Sequence, residues 1–242
     1  MRLTPNFRIL PCGDAALSVE FGDEVDPALN AQVLGLDAAI AARPPAGVIE
    51  TVPTYRALFV RYDPVATGFA ELAQALRESA AAAKPMESSG RRWRIPVVYG
   101  GEMGPDLDAV ARRHALTTEE TIRRHAAAIY RIYMIGFTPG FAYLGGLDPS
   151  IATPRRDMPR AVTPAGAIMI GGVQACVQCL AAPSGWHILG RTPMRNFLPA
   201  RDPVFLMGTG DEVVFQPVAA REWAALEKAA ERGEPVAERV AA

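Results

Sequence analysis

The chain has 242 residues, half of them apolar and 21% charged, with 21 glycines, 21 prolines and a formal net charge of −1. That balance fits one large or two small globular domains and excludes a disordered or fibrous chain. It also argues against a protein that wraps duplex nucleic acid, which needs a broad basic surface to release counterions.

Only Lys84 and Lys228 are lysines, against 23 arginines. With no Gly-Lys-Ser/Thr there is no P-loop, and neither lysine has Schiff-base or biotin-attachment neighbours. The opening MRLTPNFRIL lacks a long apolar core and does not read as a signal peptide. The uncharged stretch 161–186 is broken by Pro164, Gln174, Gln178, Pro183 and several glycines, so it reads as short buried strands rather than a membrane span. Three cysteines, Cys12, Cys176 and Cys179, are too few for a disulfide framework and point to a cytoplasmic protein.

In chain order, residues 16–21 have strand character, and Asp26-Pro27 supplies a cap followed by proline at the first helical position. Leu29, Val33, Leu36 and Ile40 then recur at helical spacing until Pro44-Pro45. Residues 48–52 and 57–62 read as two strands, and Phe69, Leu72, Ala73 and Leu76 as a second amphipathic helix. Helices on one face of an antiparallel sheet are the economical packing, giving a small α+β domain over 1–88.

A breaker-rich stretch at 84–91 marks the boundary to a second domain over 89–220. It opens with a strand at 93–98 and a glycine-rich turn. Asp106 is expected to cap a short helix, and Thr117 with Glu120 a second one carrying Ile122, Ala126 and Ile129. From 131 to 217 the pattern is short apolar runs punctuated by Gly and Pro (YMI, AIMI, ACVQCL, WHIL, VFLM, EVVFQ), which predicts a mainly-β barrel or sandwich. A last helix at 221–232 packs outside, and the tail after Gly233 is expected to fray, so 221–242 is set apart.

The densest chemical signal is GFTPGFAYLGGL, 136–147. Its glycines let backbone approach a ligand and aim N–H groups at an anion, with Phe137, Phe141 and Tyr143 as an apolar wall; a purely structural turn explains the glycines equally. Residues 150–201 hold Arg155, Arg156, Arg160, Arg191, Arg195 and Arg201 against the single acid Asp157. Guanidinium forks on stiff Pro/Gly turns suit a carboxylate or phosphate. His187, between Trp186 and Ile188, is either an acid–base candidate or a satisfied half-buried histidine. His114 and His125 read as surface or packing residues. Cys176-x-x-Cys179 makes no metal site, since zinc needs four ligands and strand residues three apart face opposite ways. Asp211 reads as ending a turn.

Taken together, IPVVYGGEMGPDLDAVA (95–111), YMIGFTPGFAYLGGL (133–147), ATPRRDMPR (152–160), GWHILGRTP (185–193) and GDEVVFQPV (210–218) resemble the B-subunit family of bacterial 5-oxoprolinases. That family is also called allophanate hydrolase subunit 1 or kinase-inhibitor-like protein, and forms part of the carboxyltransferase domain of urea carboxylase. GDAALSVEFG (13–22) and ETVPTYRALFVRYDP (50–64) resemble its N-terminal domain.

The resemblance implies a ferredoxin-like N-terminal domain and a cyclophilin-like β-barrel. It implies a cytoplasmic enzyme component that works with the C-subunit of 5-oxoprolinase, as heterodimer or heterotetramer, and with the A-subunit, hydrolysing 5-oxoproline to glutamate at the expense of ATP. A kinase-inhibiting regulator and a urea or allophanate carboxyltransferase half are the alternatives. Carried over by motif, the implied catalytic residues are His187, Arg191 and Arg155, and the implied substrate contacts are Phe137, Thr138, Pro139, Tyr143, Arg160 and Gln174. Arg155 and Arg191 are expected to neutralise one anion, with the glycine loop on the oxyanion and His187 moving a proton. The chain departs from the family where G-x-Q-T-G-I-Y-P is usual: Gln174 is kept, but Ala175, Gln178 and Cys179 stand at the threonine, tyrosine and proline, and Ser184 replaces a glycine.

Overall fold

The computed structural model describes residues 7–86 and 90–241. The chain divides into two compact units, Met1–Ser89 and Gly90–Ala242.

In the first unit, β1 (Arg8–Pro11), β2 (Ala16–Glu20), β3 (Val48–Pro53) and β4 (Ala57–Tyr62) form an antiparallel sheet in the order β1-β2-β4-β3, with α1 (Pro27–Ala42) and α2 (Phe69–Ala82). The Asp26 carboxylate accepts from the amides of Ala28 and Leu29 at 2.7 and 3.0 Å, satisfying two of the donors that a helix start leaves open. Leu17, Val19, Leu58 and Val60 alternate along their strands onto Val33, Leu36, Leu72 and Leu76 of the helices, so the two periodicities read from the sequence meet in one core. Strand β1 was not expected. It pairs only with β2, at the sheet edge, and is mostly exposed, so it carries no apolar alternation.

The second unit is built around β5 (Arg92–Tyr99), β6 (Tyr130–Ile135), β7 (Ala142–Gly145), β9 (Ala167–Gly171), β10 (Gln174–Val177), β12 (His187–Arg191) and β13 (Glu212–Pro217). They pair in the order β12-β9-β10-β7-β6-β13-β5, and β12 returns to β5, which closes a seven-stranded barrel. Alternate residues such as Ile95, Ile132, Leu144, Ile168, Val177 and Leu189 fill the interior. Those on the other face of β9, β10 and β12 form a separate outer cluster with Phe141 and Trp186. Two short strands, β8 (Arg160–Thr163) and β11 (Ala182–Ser184), pair with each other, and α3 (Leu107–Arg113), α4 (Thr118–Ala127) and α5 (Trp223–Glu231) complete the main elements with β14 (Glu238–Val240).

Five local expectations are corrected. The VFLM run is not a strand: Phe205 makes an isolated bridge to Phe197 within a loop. The tail does not fray, because β14 pairs with β5 and Ala237 is buried in the barrel core. Asp106 precedes α3, but its side chain makes no capping bond. Helix α4 ends at Ala127 and buries Thr121 and His125, leaving Ile129 exposed. Asp211 does more than end a turn: fully buried, it accepts from Arg91 Nε, Trp93 Nε1 and the Gly208 amide at 2.8, 2.9 and 3.0 Å.

Candidate functional site

On the outer barrel face a groove of about 350 Å³ is lined by Phe137, Phe141, Tyr143, Arg155, Pro159 and Trp186, among others. Four aromatic rings run through it in sequence. Phe137 meets Phe141 edge-on at 5.8 Å, Phe141 tilts onto Tyr143 at 4.5 Å, and Tyr143 meets Trp186 edge-on at 6.1 Å. Burial pushes the Tyr143 hydroxyl above its ordinary pKa, with the Arg155 charge opposing the shift. Phe137 is 67% exposed and has φ +67°, the left-handed region that side chains rarely adopt, so the loop holds this ring outward at a conformational cost.

Within the glycine loop, the amides of Gly136, Thr138 and Phe141 bond to the carbonyls of Phe141, Gly136 and Thr138. The amides of Phe137 and Gly140 donate to no protein group among the described residues, and the Thr138 hydroxyl is buried without a partner. Pro139 is exposed beside them. Gln174 lies opposite Gly171 in the β9–β10 ladder, and so on the same sheet face. A Cβ on Gly171 would sit 2.7 Å from the Trp186 ring, so this glycine is what allows the tryptophan to lie flat against the sheet.

The loop before β8 and the first residue of that strand carry three arginines with unequal fates. Arg160 makes a two-pronged bond to Asp106, both contacts at 2.8 Å, and Arg156 reaches the same carboxylate at 3.1 Å. The Ile188 amide completes the set at 2.8 Å. Asp106 is only 5% exposed. Burial pushes its carboxyl pKa up, but the bonds from Arg160 and Ile188 and the two guanidinium charges outweigh that and hold it below the ordinary value. Arg155, between these neighbours in sequence, makes no hydrogen bond or ion pair among the described residues and borders the groove.

His187 stands apart from the groove. It pairs with the interior residue Ile170, and strand alternation sends it and Leu189 away from Trp186 and Ile188. Its Nε2 lies 2.9 Å from the Pro154 carbonyl, which can only accept, so Nε2 carries the proton; Nδ1 is buried without a partner.

Arg191 lies at the far end of the same strand, about 13 Å on at ~3.3 Å per residue. It lines a different groove, of about 440 Å³, together with Arg195, Cys179 and Trp223. There it donates to the Ala165 carbonyl at 3.0 Å and stacks over the Trp223 ring at 5.1 Å. The expected joint grip of Arg155 and Arg191 on a single anion is therefore not formed.

Neither Asp106 nor Trp186 was singled out from the sequence. Asp106 was read through its adjacent helix, whereas its partners lie 50 to 82 residues on.

Of the four departures from the family pattern, Ser184 lines the aromatic groove, where its hydroxyl accepts from the Trp186 amide at 3.2 Å, and the other three lie away from it. Ala175 faces the barrel interior. Gln178 is fully buried, accepting from the Thr163 hydroxyl at 2.9 Å and donating to the carbonyls of Thr163 and Leu180 at 3.1 and 2.9 Å. Cys179 accepts from the Phe197 amide at 3.2 Å, and burial pushes its thiol pKa up. Among the described residues no group of His, Cys, Asp and Glu is placed to hold a metal ion, and no helix is long and apolar enough to cross a membrane.

The chain is 36% identical over 232 residues to the 5-oxoprolinase B-subunit of Bacillus subtilis, covering 91% of this chain and 97% of that one. It is 45% identical over 132 residues to the protein of the same name from Escherichia coli O157:H7, covering 54% of this chain and 61% of that one. The crystal structure of TTHA0988 superposes with a TM-score of 0.76 at 33% identity, over 85% of this chain and 40% of that longer one. The urea amidolyase of Kluyveromyces lactis shares the fold, with a TM-score of 0.80 at 18% identity, over 98% of this chain and 16% of that one. The family profile for the carboxyltransferase domain, subdomain C and D, matches residues 7–207, and the chain belongs to that family.

Proposed function

We propose that the chain is the B-subunit of an ATP-dependent 5-oxoprolinase, which converts 5-oxo-L-proline, ATP and water to L-glutamate, ADP and phosphate in the cytoplasm, together with the C-subunit and the A-subunit of that enzyme. The observation that carries this reading is the 36% identity to the Bacillus subtilis protein along 97% of its length. The N-terminal unit fits a ferredoxin-like fold, since β4 lies between β2 and β3 and is antiparallel to both.

In this reading the aromatic groove takes the substrate. 5-Oxoproline is a small lactam ring with one carboxylate. Arg155, whose guanidinium makes no hydrogen bond or ion pair among the described residues, receives that carboxylate, and the ring lies against Tyr143 and Trp186. The amides of Phe137 and Gly140, which donate to no group among the described residues, are available to the lactam oxygen as water adds to the carbonyl carbon and negative charge develops. The ring C–N bond then breaks, and the nitrogen takes a proton to become the amine of glutamate. Thr138 and Pro139 follow Phe137 in the loop and Gln174 lies on the sheet face of Gly171, outside the groove lining itself; His187 holds the loop through Pro154 rather than moving the proton, and ATP enters as cosubstrate of the assembled enzyme.

Titrating 5-oxoproline into the reconstituted enzyme carrying Arg155→Ala is expected to raise KM at least about tenfold, with Arg155→Lys recovering part of the loss. An unchanged KM removes Arg155 from the site.

A further inference from the structure

We propose that Asp106 is a positioning residue of this site, a buried carboxylate that occupies two of the three arginines of 155–160 and leaves the third, Arg155, presented to the carboxylate of the substrate. The proposal rests on the reading of the aromatic groove as the 5-oxoproline site.

The loop is pinned on each side of Arg155. Before it, the Pro154 carbonyl is held by His187 Nε2 at 2.9 Å, and the Thr153 and Gly172 backbones exchange bonds at 3.2 and 2.7 Å. After it, the Arg156 amide donates to the Gly185 carbonyl at 2.7 Å, and its guanidinium reaches Asp106. Arg160 adds the two-pronged bond, whose fork fits a carboxylate in one plane only.

Asp106 is itself fixed. Its amide donates to the Ile188 carbonyl at 3.1 Å, while its carboxylate accepts from the Ile188 amide, so the clamp is bolted to the strand that follows Trp186 in the groove wall. Trp186 and the arginine segment, both in the groove wall, thus refer to one carboxylate. Had Asp106 been absent, the guanidinium groups of Arg156 and Arg160, which both meet its carboxylate, would repel one another and compete with Arg155 for an anion. With it in place, Arg156 and Arg160 are neutralised in part and held, and Arg155 is the group left for ligand.

Arginine modification by phenylglyoxal, mapped by mass spectrometry on the full chain, tests this without turnover. Arg155 is expected to react at least about fivefold faster than Arg156 and Arg160, which are engaged by Asp106. In Asp106→Asn the latter two gain reactivity severalfold. In the reconstituted enzyme the same variant raises KM for 5-oxoproline about tenfold with kcat changed less than about threefold, a split that general loss of folded protein does not produce. Arg160→Lys, which keeps the charge but loses the fork, gives a smaller shift in the same direction and serves if Asp106→Asn fails to fold. Equal reactivity of the three arginines in the unmodified chain, or an unchanged KM in a folded clamp variant, overturns the proposal. Failure of the 5-oxoprolinase reading looks different: 5-oxoproline leaves Arg155 unprotected in the unmodified chain while the reactivity order stands.

Discussion

Protonation of His125 should set the acid limit of the barrel unit. The ring is fully buried on α4, stacked on Phe215 at 4.9 Å, with Nδ1 2.8 Å from the Tyr99 hydroxyl and Nε2 without a partner. Burial pushes its pKa from 6.5 down to about 3. Below pH 6.5 the unfolded chain therefore binds a proton that the folded chain refuses, and stability falls as the pH drops from 6.5 towards 3. At about 1.4 kcal/mol per pH unit, moving from pH 7 to about pH 4.5 costs ~3 kcal/mol from this one group. His125→Phe keeps a ring against Phe215 but removes the titration. It also strands the Tyr99 hydroxyl, at a cost of about 1–3 kcal/mol that is the same at both pH values and cancels in the comparison. Trp93, Trp186 and Trp223 all lie in the barrel unit, so urea unfolding followed by tryptophan fluorescence reads that unit alone. The loss of stability between the two pH values should be ~3 kcal/mol smaller in the variant; a difference within about 0.5 kcal/mol refutes the assignment.

Arg191→Ala loses the stack on Trp223 and the bonds to Ala165, so it should lower stability by about 1 kcal/mol yet leave KM for 5-oxoproline within about twofold, checked by urea unfolding and steady-state kinetics. Asp211→Asn removes the charge facing Arg91 and turns an amide on one of three donors; an unfolding free energy lower by about 2–4 kcal/mol is expected from urea titration. Gly171→Ala drives a methyl into the Trp186 ring, which should cost about 1–3 kcal/mol in the same measurement and change the tryptophan emission.

The elements that were legible in the sequence are those whose signal is local. Asp26-Pro27 announces α1 because cap and first turn are neighbours in the chain, and Ala57–Tyr62 alternates because one face packs on helices. Strand β1 is four residues long and sets only Ile9 against the core, too short a run to show an alternation, and β14 is recognisable only once β5 is there to receive it. The site divides the same way. Phe137, Phe141 and Tyr143 share one glycine-rich segment and converge as expected. Arg155 and Arg191 sit in motifs of similar appearance but border separate grooves, because His187, which holds the Arg155 loop through Pro154, and Arg191 lie at opposite ends of β12. Composition marks the excess of arginine over residues 150–201 without saying which guanidinium groups are engaged; Arg156 and Arg160 are taken up by Asp106, 50 and 54 residues before them.

The most direct test of the account is to mix this chain with the C-subunit and A-subunit of 5-oxoprolinase and follow glutamate and phosphate release together, with each chain omitted in turn. The account predicts that both products appear in equal amounts only when this chain, 5-oxoproline and ATP are all present. Release that persists at the same rate without this chain, or a complete mixture that forms no glutamate, contradicts it.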